Sequence, residues 1–382
     1  DTHAYSEEAT RKFYIDLLLA EAGWKTGTES VKVEYELSGV KRNALKSGTG
    51  YADYVLFGLD GKPLAVIEAK RTSRDPVEGK LQAADYADAL EAKFGQRPLI
   101  YYPNGYEIYY WDDAFYPPRK VAGFFNREEL DLAIQRRTTR HSIAHPVVNK
   151  DIANRPYQIE AIRAICSHFE DHHRRSLVVM ATGSGKTRTA IALVEILQKA
   201  NWVKRVLFLC DRDSLIIQTK RAFTKNLPNT VSVDLRSTRT DTNARVCLST
   251  YQTMMNLIDE VEGGVRGFSP AHFDLIIIDE AHRSIYQKYQ ALFTYFDALL
   301  LGLTATPRSE VDRNTYQMFE LEDKNPTYAF ELEDAIAKKY LVPYEAMKVS
   351  TAFTRKGIKY ADLSPEEQEE YENKFSDPLT GA

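Results

Sequence analysis

The spacing of apolar and polar residues divides this chain into two parts. The first part opens with Phe13, Leu17 and Leu18 at helical spacing and continues with short strand-like segments, a helical stretch over 77–94 and a hairpin. From Tyr157 onwards, continuous apolar runs such as SLVVM, RVLFLC and DLIIIDE alternate with helix-like segments. Buried strands that alternate with helices predict a parallel sheet with helices on both faces.

We therefore expect an α/β protein with two domains. A small mixed α/β domain is predicted over residues 1–134, a polar linker over 135–154 and a parallel α/β domain over 155–345. Residues 346–382 are polar and helix-like, and they predict the start of a connection to a further domain. The linker's basic residues, which suit either solvent or a phosphate backbone, are Arg136, Arg137, Arg140 and His141.

Composition narrows the class of protein without indicating a ligand. The chain has 382 residues, of which 43% are apolar and 27% charged, and this excludes a disordered or low-complexity protein. No apolar run is long enough to span a membrane, so we expect a soluble protein. The net charge of −4 gives no sign of nucleic-acid binding. Three scattered cysteines imply neither a disulfide framework nor a zinc site, which fits a reducing compartment.

The segment ATGSGKT, residues 181–187, follows an apolar strand and begins a helix. Glycines in such a loop let successive N–H groups face a phosphate, and the helix N-terminus adds a partial positive charge. Lys186 is placed to reach the β- and γ-phosphates of ATP, and Thr187 to bind Mg²⁺. The strict pattern has glycine where this chain has Met180. The residues predicted to bind the nucleotide here are Thr182, Gly183, Ser184, Gly185, Lys186 and Thr187.

A second acidic motif, DEAH, ends the apolar strand over 274–279. The carboxyl ends of parallel strands meet at the edge of the sheet where ligands bind. Asp279 is suited to holding Mg²⁺ and Glu280 to orienting the attacking water.

A pair of carboxylates in the first domain also suggests chemistry. If a two-residue turn is centred on residues 60–61, Asp53 lies opposite Glu68, and Lys70 points to the same face. Two opposed carboxylates destabilise a hairpin by about 0.5–1 kcal/mol. A divalent cation reverses that effect, and Lys70 beside it could stabilise a phosphorane-like transition state.

These motifs carry two family resemblances. RPYQ at 155–158, MATGSGKT, DEAH and GLTATP at 302–307 resemble superfamily 2 helicases and translocases. That resemblance implies that Gln158 reads the adenine edge and that Thr304 and Thr306 couple nucleotide state to DNA contact. It also implies that residues 210–218 and 248–254 contact the DNA backbone. The arginine of a second RecA-like lobe would complete the ATP site, so the present chain is expected to bind ATP–Mg²⁺ but to hydrolyse it poorly.

The first domain resembles the PD-(D/E)xK nucleases. Asp53, Glu68 and Lys70 match the nuclease core, although Ala52 replaces the proline of the family name. Gln82 and Tyr86 share one helical face and match the QxxxY element of the subgroup that includes restriction subunits. An acid of the first helix could also approach the metal. The candidates are Glu7, Glu8 and Glu21.

A nuclease followed by a superfamily 2 motor resembles the endonuclease subunit of type I restriction–modification enzymes. The resemblance implies Mg²⁺-dependent cleavage of double-stranded DNA coupled to ATP-driven translocation. It also implies a cytoplasmic complex with methyltransferase and specificity subunits, so that this chain contacts DNA mainly through phosphates. Two alternatives remain open: a DNA-repair helicase–nuclease, and a non-cleaving, nucleotide-switched DNA-binding or scaffold protein. Type III restriction subunits fit less well because they carry the nuclease after the motor.

Overall fold

The computed structural model describes residues 7–40, 48–70, 79–104, 106–238, 244–281 and 285–343. The connection predicted over 346–382 lies outside these residues, and so does His282 of the DEAH motif. The side chains of Glu7 and Glu8 are also outside the description.

The first domain is a six-stranded mixed sheet between helices. All neighbouring strands are antiparallel except β3 and β4, which are parallel because helix α3 crosses between them. The strands, in their order across the sheet, are β1 Val31–Ser38, β2 Thr49–Phe57, β3 Pro63–Ile67, β4 Leu99–Pro103, β5 Ile108–Trp111 and β6 Arg119–Val121. The helices are α1 Glu7–Thr10, a π-helical turn Arg11–Ile15, α2 Asp16–Glu21, α3 Lys80–Phe94 and α4 Arg127–Thr139.

Alternation along β2 explains why both faces of this sheet are covered. Tyr54 and Leu56 pack with α2 and α4 on one face, while Val55 and Phe57 pack with α3 on the other. The sheet is therefore buried on both sides, and polar groups at its strand ends lie next to an apolar core.

The predicted register of the β2–β3 hairpin is confirmed where it matters for the site. Tyr54 pairs with Ile67 and Val55 with Val66, so the next residues along the two strands, Asp53 and Glu68, lie opposite each other.

The predicted two-residue turn, however, is wrong. The amide of Gly58 donates to the Lys62 carbonyl at 2.9 Å, and the Gly61 amide donates to the Gly58 carbonyl at 3.2 Å. This longer turn pairs Phe57 with Pro63, and a bulge beyond Phe57 then restores the predicted register.

The segment predicted as a linker differs from the observed structure at both ends. Residues 135–139 belong to α4, whose start is fixed by a capping box in which Asn126 and Glu129 bond reciprocally to each other's backbone. Further along, Ile143 and Ile152 are buried in the core of the second domain. The segment is therefore largely packed structure, although Val147 is exposed.

The second domain is a seven-stranded parallel sheet with helices on both faces, as predicted. The strands lie in the order β15-β7-β14-β13-β8-β10-β9. The sheet strands are β7 Arg175–Met180, β8 Val206–Cys210, β9 Ser232–Asp234, β10 Val246–Thr250, β13 Leu275–Asp279, β14 Leu299–Thr304 and β15 Tyr328–Phe330, and a separate small hairpin comprises β11 Val261–Glu262 and β12 Val265–Arg266. The helices are α5 Pro156–Glu170, α6 Lys186–Lys199, α7 Asp213–Asn226, α8 Tyr251–Ile258, α9 Ile285–Tyr295, α10 Arg313–Met318 and α11 Leu332–Ala337. No helix within the described ranges is long and apolar enough to cross a membrane.

Buried ion pairs join the two domains within one compact unit that extends to residue 341. Arg119 of β6 binds Asp297 through two contacts of 2.6 Å, and Arg174 of the second domain binds the same carboxylate at 3.0 Å. Arg136 of α4 contacts Asp274 at 2.5 Å. Asp274 directly precedes β13, and Asp297 lies just before β14. Two central strands of the second sheet are thus anchored to the first domain at their amino ends.

The three arginines of the predicted linker are therefore used inside the protein. Arg137 binds Asp112 at 2.8 Å, and the Arg140 guanidinium lies 4.4 Å from the centre of the Trp202 ring. Arg136 and Arg140 thus contact the second domain, whereas Arg137 binds within the first.

Candidate active sites

The phosphate loop connects β7 to α6. Gly183 and Gly185 have φ of +80° and +94°, which is the left-handed region that favours glycine. Met180, where the strict motif has glycine, is the last residue of β7 and pairs with Phe330. Its extended strand conformation has no need of glycine, so this departure from the motif leaves the loop intact.

Two buried side chains of α5 hold the loop from behind. The Gln158 amide donates to the Ser184 carbonyl at 2.9 Å, and the Tyr157 hydroxyl donates to the same oxygen at 2.8 Å. A Cβ atom on Gly185 would lie 2.5 Å from Gln158 Nε2. In this structure Gln158 therefore supports the loop, while its contact with adenine stays a prediction. The support from Tyr157 was missed by sequence reasoning.

The other loop residues fall into two groups. Ser184 is buried, and both its amide and its hydroxyl donate to the Ala181 carbonyl, at 3.1 and 2.6 Å. Thr182 is exposed and Thr187 is half-buried. Ser184 thus shapes the loop, whereas Thr182 and Thr187 lie at its accessible surface.

The acidic motif lies at the same edge of the sheet as the loop, because β13 and β7 flank β14 and all three run parallel. Burial lowers the pKa of Lys186, and the charges of Glu280 and Asp279 oppose that effect. Burial, followed by the charge of Glu280, raises the pKa of Asp279 to about 6. Lys186 donates to the Met180 carbonyl at 3.3 Å. The side chains of Lys186, Asp279 and Glu280, with the Met180 carbonyl, form one polar site. This site suits a phosphate and a divalent cation.

Glu280 has a strained backbone. Its φ of +56° is uncommon for a residue with a side chain, and such strain is concentrated at functional sites. At the end of the neighbouring strand β14, the buried Thr304 hydroxyl accepts a hydrogen bond from the Thr306 amide at 3.1 Å.

The second candidate site lies where β2 begins to pair with β3. Asp53 Oδ2 accepts a hydrogen bond of 2.7 Å from the Ala69 amide. Lys70 Nζ contacts Glu68 Oε1 at 2.7 Å, and only 3% of the Glu68 side chain is exposed. The hairpin therefore brings the three predicted residues Asp53, Glu68 and Lys70 together.

Helix α3 adds the predicted glutamine and tyrosine. Lys70 Nζ donates to Gln82 Oε1 at 3.2 Å, and Gln82 Nε2 donates to the Tyr86 hydroxyl at 3.0 Å. Burial raises the pKa of Tyr86, so its hydroxyl keeps its proton at neutral pH. Gly50 makes this packing possible, because a Cβ atom there would lie 2.6 Å from Tyr86 Cε1.

The first helical segment contributes a cation to this site. Arg11 Nη1 contacts Asp53 Oδ1 at 2.7 Å, and Arg11 Nη2 contacts Glu34 Oε1 at 2.9 Å. Sequence reasoning missed both Arg11 and Glu34. Of the predicted helix acids, Glu21 instead pairs with Arg266 of the second domain at 2.8 Å.

The donor set fits Mg²⁺ in type. Carboxylate oxygens are the ligands that Mg²⁺ prefers, and one or two carboxylates usually suffice, with water completing the shell. Asp53 and Glu68 supply two such groups, which lie opposite each other across the hairpin. Among the residues that the model describes, no three Asp, Glu, His or Cys side chains are grouped to hold a metal.

Comparison with known proteins finds similar restriction subunits. Residues 151–309 match the family model described as "Type III restriction enzyme, res subunit". The EcoAI endonuclease subunit of a type I restriction enzyme from Escherichia coli is 28% identical over 355 residues, which cover 87% of this chain and 42% of that protein. The chain is related to type I restriction endonuclease subunits. The resemblance inferred from the motifs is thereby confirmed.

Two further proteins are also similar to this chain. The EcoKI endonuclease subunit of Escherichia coli (strain K12) is 26% identical, covering 92% of this chain and 36% of its own length. A solved fragment of a putative HsdR subunit from Vibrio vulnificus YJ016 is 27% identical, with a TM-score of 0.39, and the match covers 87% of this chain and 61% of that one. The chain spans less than half the length of these two curated relatives.

The type III family model covers the motor-like region only. The alignment with the EcoAI type I subunit covers 87% of the chain, so it extends into the first domain. The order of the two domains therefore agrees with the type I relatives.

Proposed function

We propose that this chain belongs to a restriction subunit that cuts double-stranded DNA with Mg²⁺ and moves along DNA with ATP. One observation carries the proposal: a continuous set of contacts joins Glu68, Lys70, Gln82 and Tyr86 beside Asp53, in the same compact unit as a phosphate loop. A purely structural hairpin has no need of this network.

In the nuclease site, Asp53 and Glu68 would hold Mg²⁺. When bound, the ion supplies a more acidic water and neutralises charge on the scissile phosphate. Lys70 places a positive charge next to Glu68, where it can stabilise the negative charge that develops on the phosphate. Gln82 fixes the position of Lys70 through its carbonyl, and Tyr86 fixes the orientation of the Gln82 amide.

In the motor site, ATP is the substrate. Lys186 and the loop amides bind its phosphates, and Thr187 with Asp279 would hold the accompanying Mg²⁺. Glu280 orients the attacking water. The names of the type I relatives support a restriction–modification assembly, in which methyltransferase and specificity subunits recognise the site in the cytoplasm. The DNA contacts of this chain are then mostly to phosphates and weaken strongly with salt.

Substitution of Asp53 tests the nuclease assignment in the complete enzyme. Asp53→Asn removes the ligand charge and is expected to reduce DNA cleavage by about 100-fold or more while ATP hydrolysis continues. Asp60→Asn is the matched control, because Asp60 lies in the exposed hairpin turn and an asparagine oxygen can accept the same Lys62 amide. Normal cleavage by Asp53→Asn would refute the assignment of this hairpin as the nuclease site.

Substitution of Lys186 tests the motor assignment. Lys186→Ala is expected to abolish ATP binding, measured by calorimetry. Lys199→Ala is the control, since Lys199 is exposed at the other end of the same helix. Wild-type ATP binding by Lys186→Ala would refute the phosphate-loop assignment.

A further inference from the structure

Arg11 forms an ion pair with Asp53, one of the two carboxylates on which the proposed nuclease centre depends. Its guanidinium lies 2.7 Å from Asp53 Oδ1, and both side chains are largely buried. The opposite carboxylate, Glu68, is similarly paired with Lys70 at 2.7 Å. Each of the two acids thus has its own cation, and the pairing offsets the repulsion between opposed carboxylates.

Glu34 holds the other side of the same guanidinium. The flanking pairs Val33–Tyr54 and Tyr35–Ala52 place Glu34 directly across from Asp53 in the sheet. Glu34 has a φ of +51°, which is strained for a residue with a side chain. Its carboxylate contacts Arg11 Nη2 at 2.9 Å, yet 66% of its side chain is exposed. Glu34 therefore offers Arg11 a partner at the solvent side of Asp53.

We propose that Arg11 is a latch on the nuclease centre. Arg11 pairs with Asp53 until a divalent cation binds to that carboxylate. Arg11 then leaves Asp53, stays near Glu34 and contacts a DNA phosphate. This inference rests on the proposed nuclease function and adds a positioning residue to it.

When a metal binds at Asp53, the Arg11 guanidinium is expected to move away rather than to lose its proton. An arginine stays protonated under all ordinary conditions, so it cannot lose its charge to make room for a metal. A guanidinium and a divalent cation on one carboxylate repel each other strongly at low effective dielectric. The guanidinium also has a planar fork of donors that suits phosphate oxygens. Displacement from a buried acid towards an exposed one brings that fork closer to where DNA can lie.

The test measures two affinities that should change in opposite directions in the full chain. Arg11→Gln is expected to bind Mn²⁺ about tenfold more tightly by calorimetry, because the competing charge is gone. The same variant should bind duplex DNA more weakly in Ca²⁺, with the salt dependence of binding reduced by about one phosphate contact. A residue that only stabilises the fold would not produce a gain and a loss together.

Two further variants complete the experiment. Arg11→Lys keeps the charge and should restore both affinities towards wild type, which also guards against poor folding of Arg11→Gln. Lys32→Gln is the control, because Lys32 lies on the same strand as Glu34 but pairs with Glu29. Unchanged Mn²⁺ affinity or unchanged DNA affinity in Arg11→Gln overturns the latch. If Asp53→Asn binds Mn²⁺ as tightly as wild type, the nuclease centre itself has been misassigned.

Discussion

Asp297 is the residue whose replacement should most directly weaken the junction between the two domains. Its carboxylate receives Arg119 from the first domain and Arg174 from the second, at 2.6 and 3.0 Å. Burial alone would raise the pKa of Asp297, but Arg119 and then Arg174 outweigh burial and lower it from 3.8 to about 2. That depression corresponds to about 2 kcal/mol of stability at neutral pH.

Asp297→Asn should cost at least this amount. It leaves two neighbouring guanidiniums without their shared anion, and breaking a buried pair in this way typically costs about 3–5 kcal/mol. We therefore expect the free energy of unfolding to fall by about 2–5 kcal/mol at pH 7. The assay is urea unfolding followed by circular dichroism and by tryptophan fluorescence.

The pH dependence provides a second check. The pKa of Asp297 is depressed in the folded state, so its contribution is complete above the unfolded pKa near 3.8 and is lost as pH falls through about 2. The difference between wild type and Asp297→Asn should therefore be constant from pH 7 to 5 and shrink below pH 4.

An exposed ion pair made by Lys120, the neighbour of Arg119 on β6, supplies the control. Glu107→Gln removes the partner of Lys120, where the two side chains are 39% and 57% exposed, and should change stability by less than about 0.5 kcal/mol. A loss in Asp297→Asn no larger than in Glu107→Gln would refute the argument. So would the absence of coupling between Asp297→Asn and Arg119→Gln in a double-mutant cycle.

Three other substitutions have expected outcomes. Gly302→Ala places a Cβ atom against the buried Phe319 ring and should destabilise the fold by about 1–3 kcal/mol in urea unfolding; Gly267→Ala, where nothing lies within 4 Å, should be neutral. Gly185→Ala should weaken ATP binding in calorimetry, because φ is +94° and the new atom would lie 2.5 Å from Gln158 Nε2; wild-type affinity would contradict the loop geometry. Asn126→Ala removes the capping box of α4 and should cost about 1 kcal/mol by the same unfolding assay, and no change would show that the cap is dispensable.

The sequence predicted the β2–β3 hairpin well because side chains alternate strictly along strands. Asp53 and Glu68 were placed opposite each other from spacing alone, although the turn was misjudged and a bulge corrects the register. The contact of Arg11 with Asp53 could not be foreseen, since it depends on how a helix 42 residues away packs on the sheet.

The second domain was predictable for a different reason. Its strands are buried on both faces and therefore read as continuous apolar runs, and each motif follows one of them. Helix α4 was overlooked because its exposed surface is highly charged and its partners are ionic, although Asn126 and Glu129 carried a readable capping signal. The role of Gln158 behind the loop was hidden because a motif gives a residue's identity but not the neighbours that the fold places around it.

The parallel direction of β13 and β14 has a mechanical consequence. The two strands end at the motif residues Asp279 and Thr304, and each is preceded by an interface carboxylate, Asp274 or Asp297. A five-residue strand is a stiff rod of about 16 Å. The phosphate loop and the acidic motif thus lie at one edge of the sheet, and the first domain is attached at the opposite edge. If the proposed function is right, the nuclease domain is rigidly coupled to the ATP-binding lobe and moves with it along DNA.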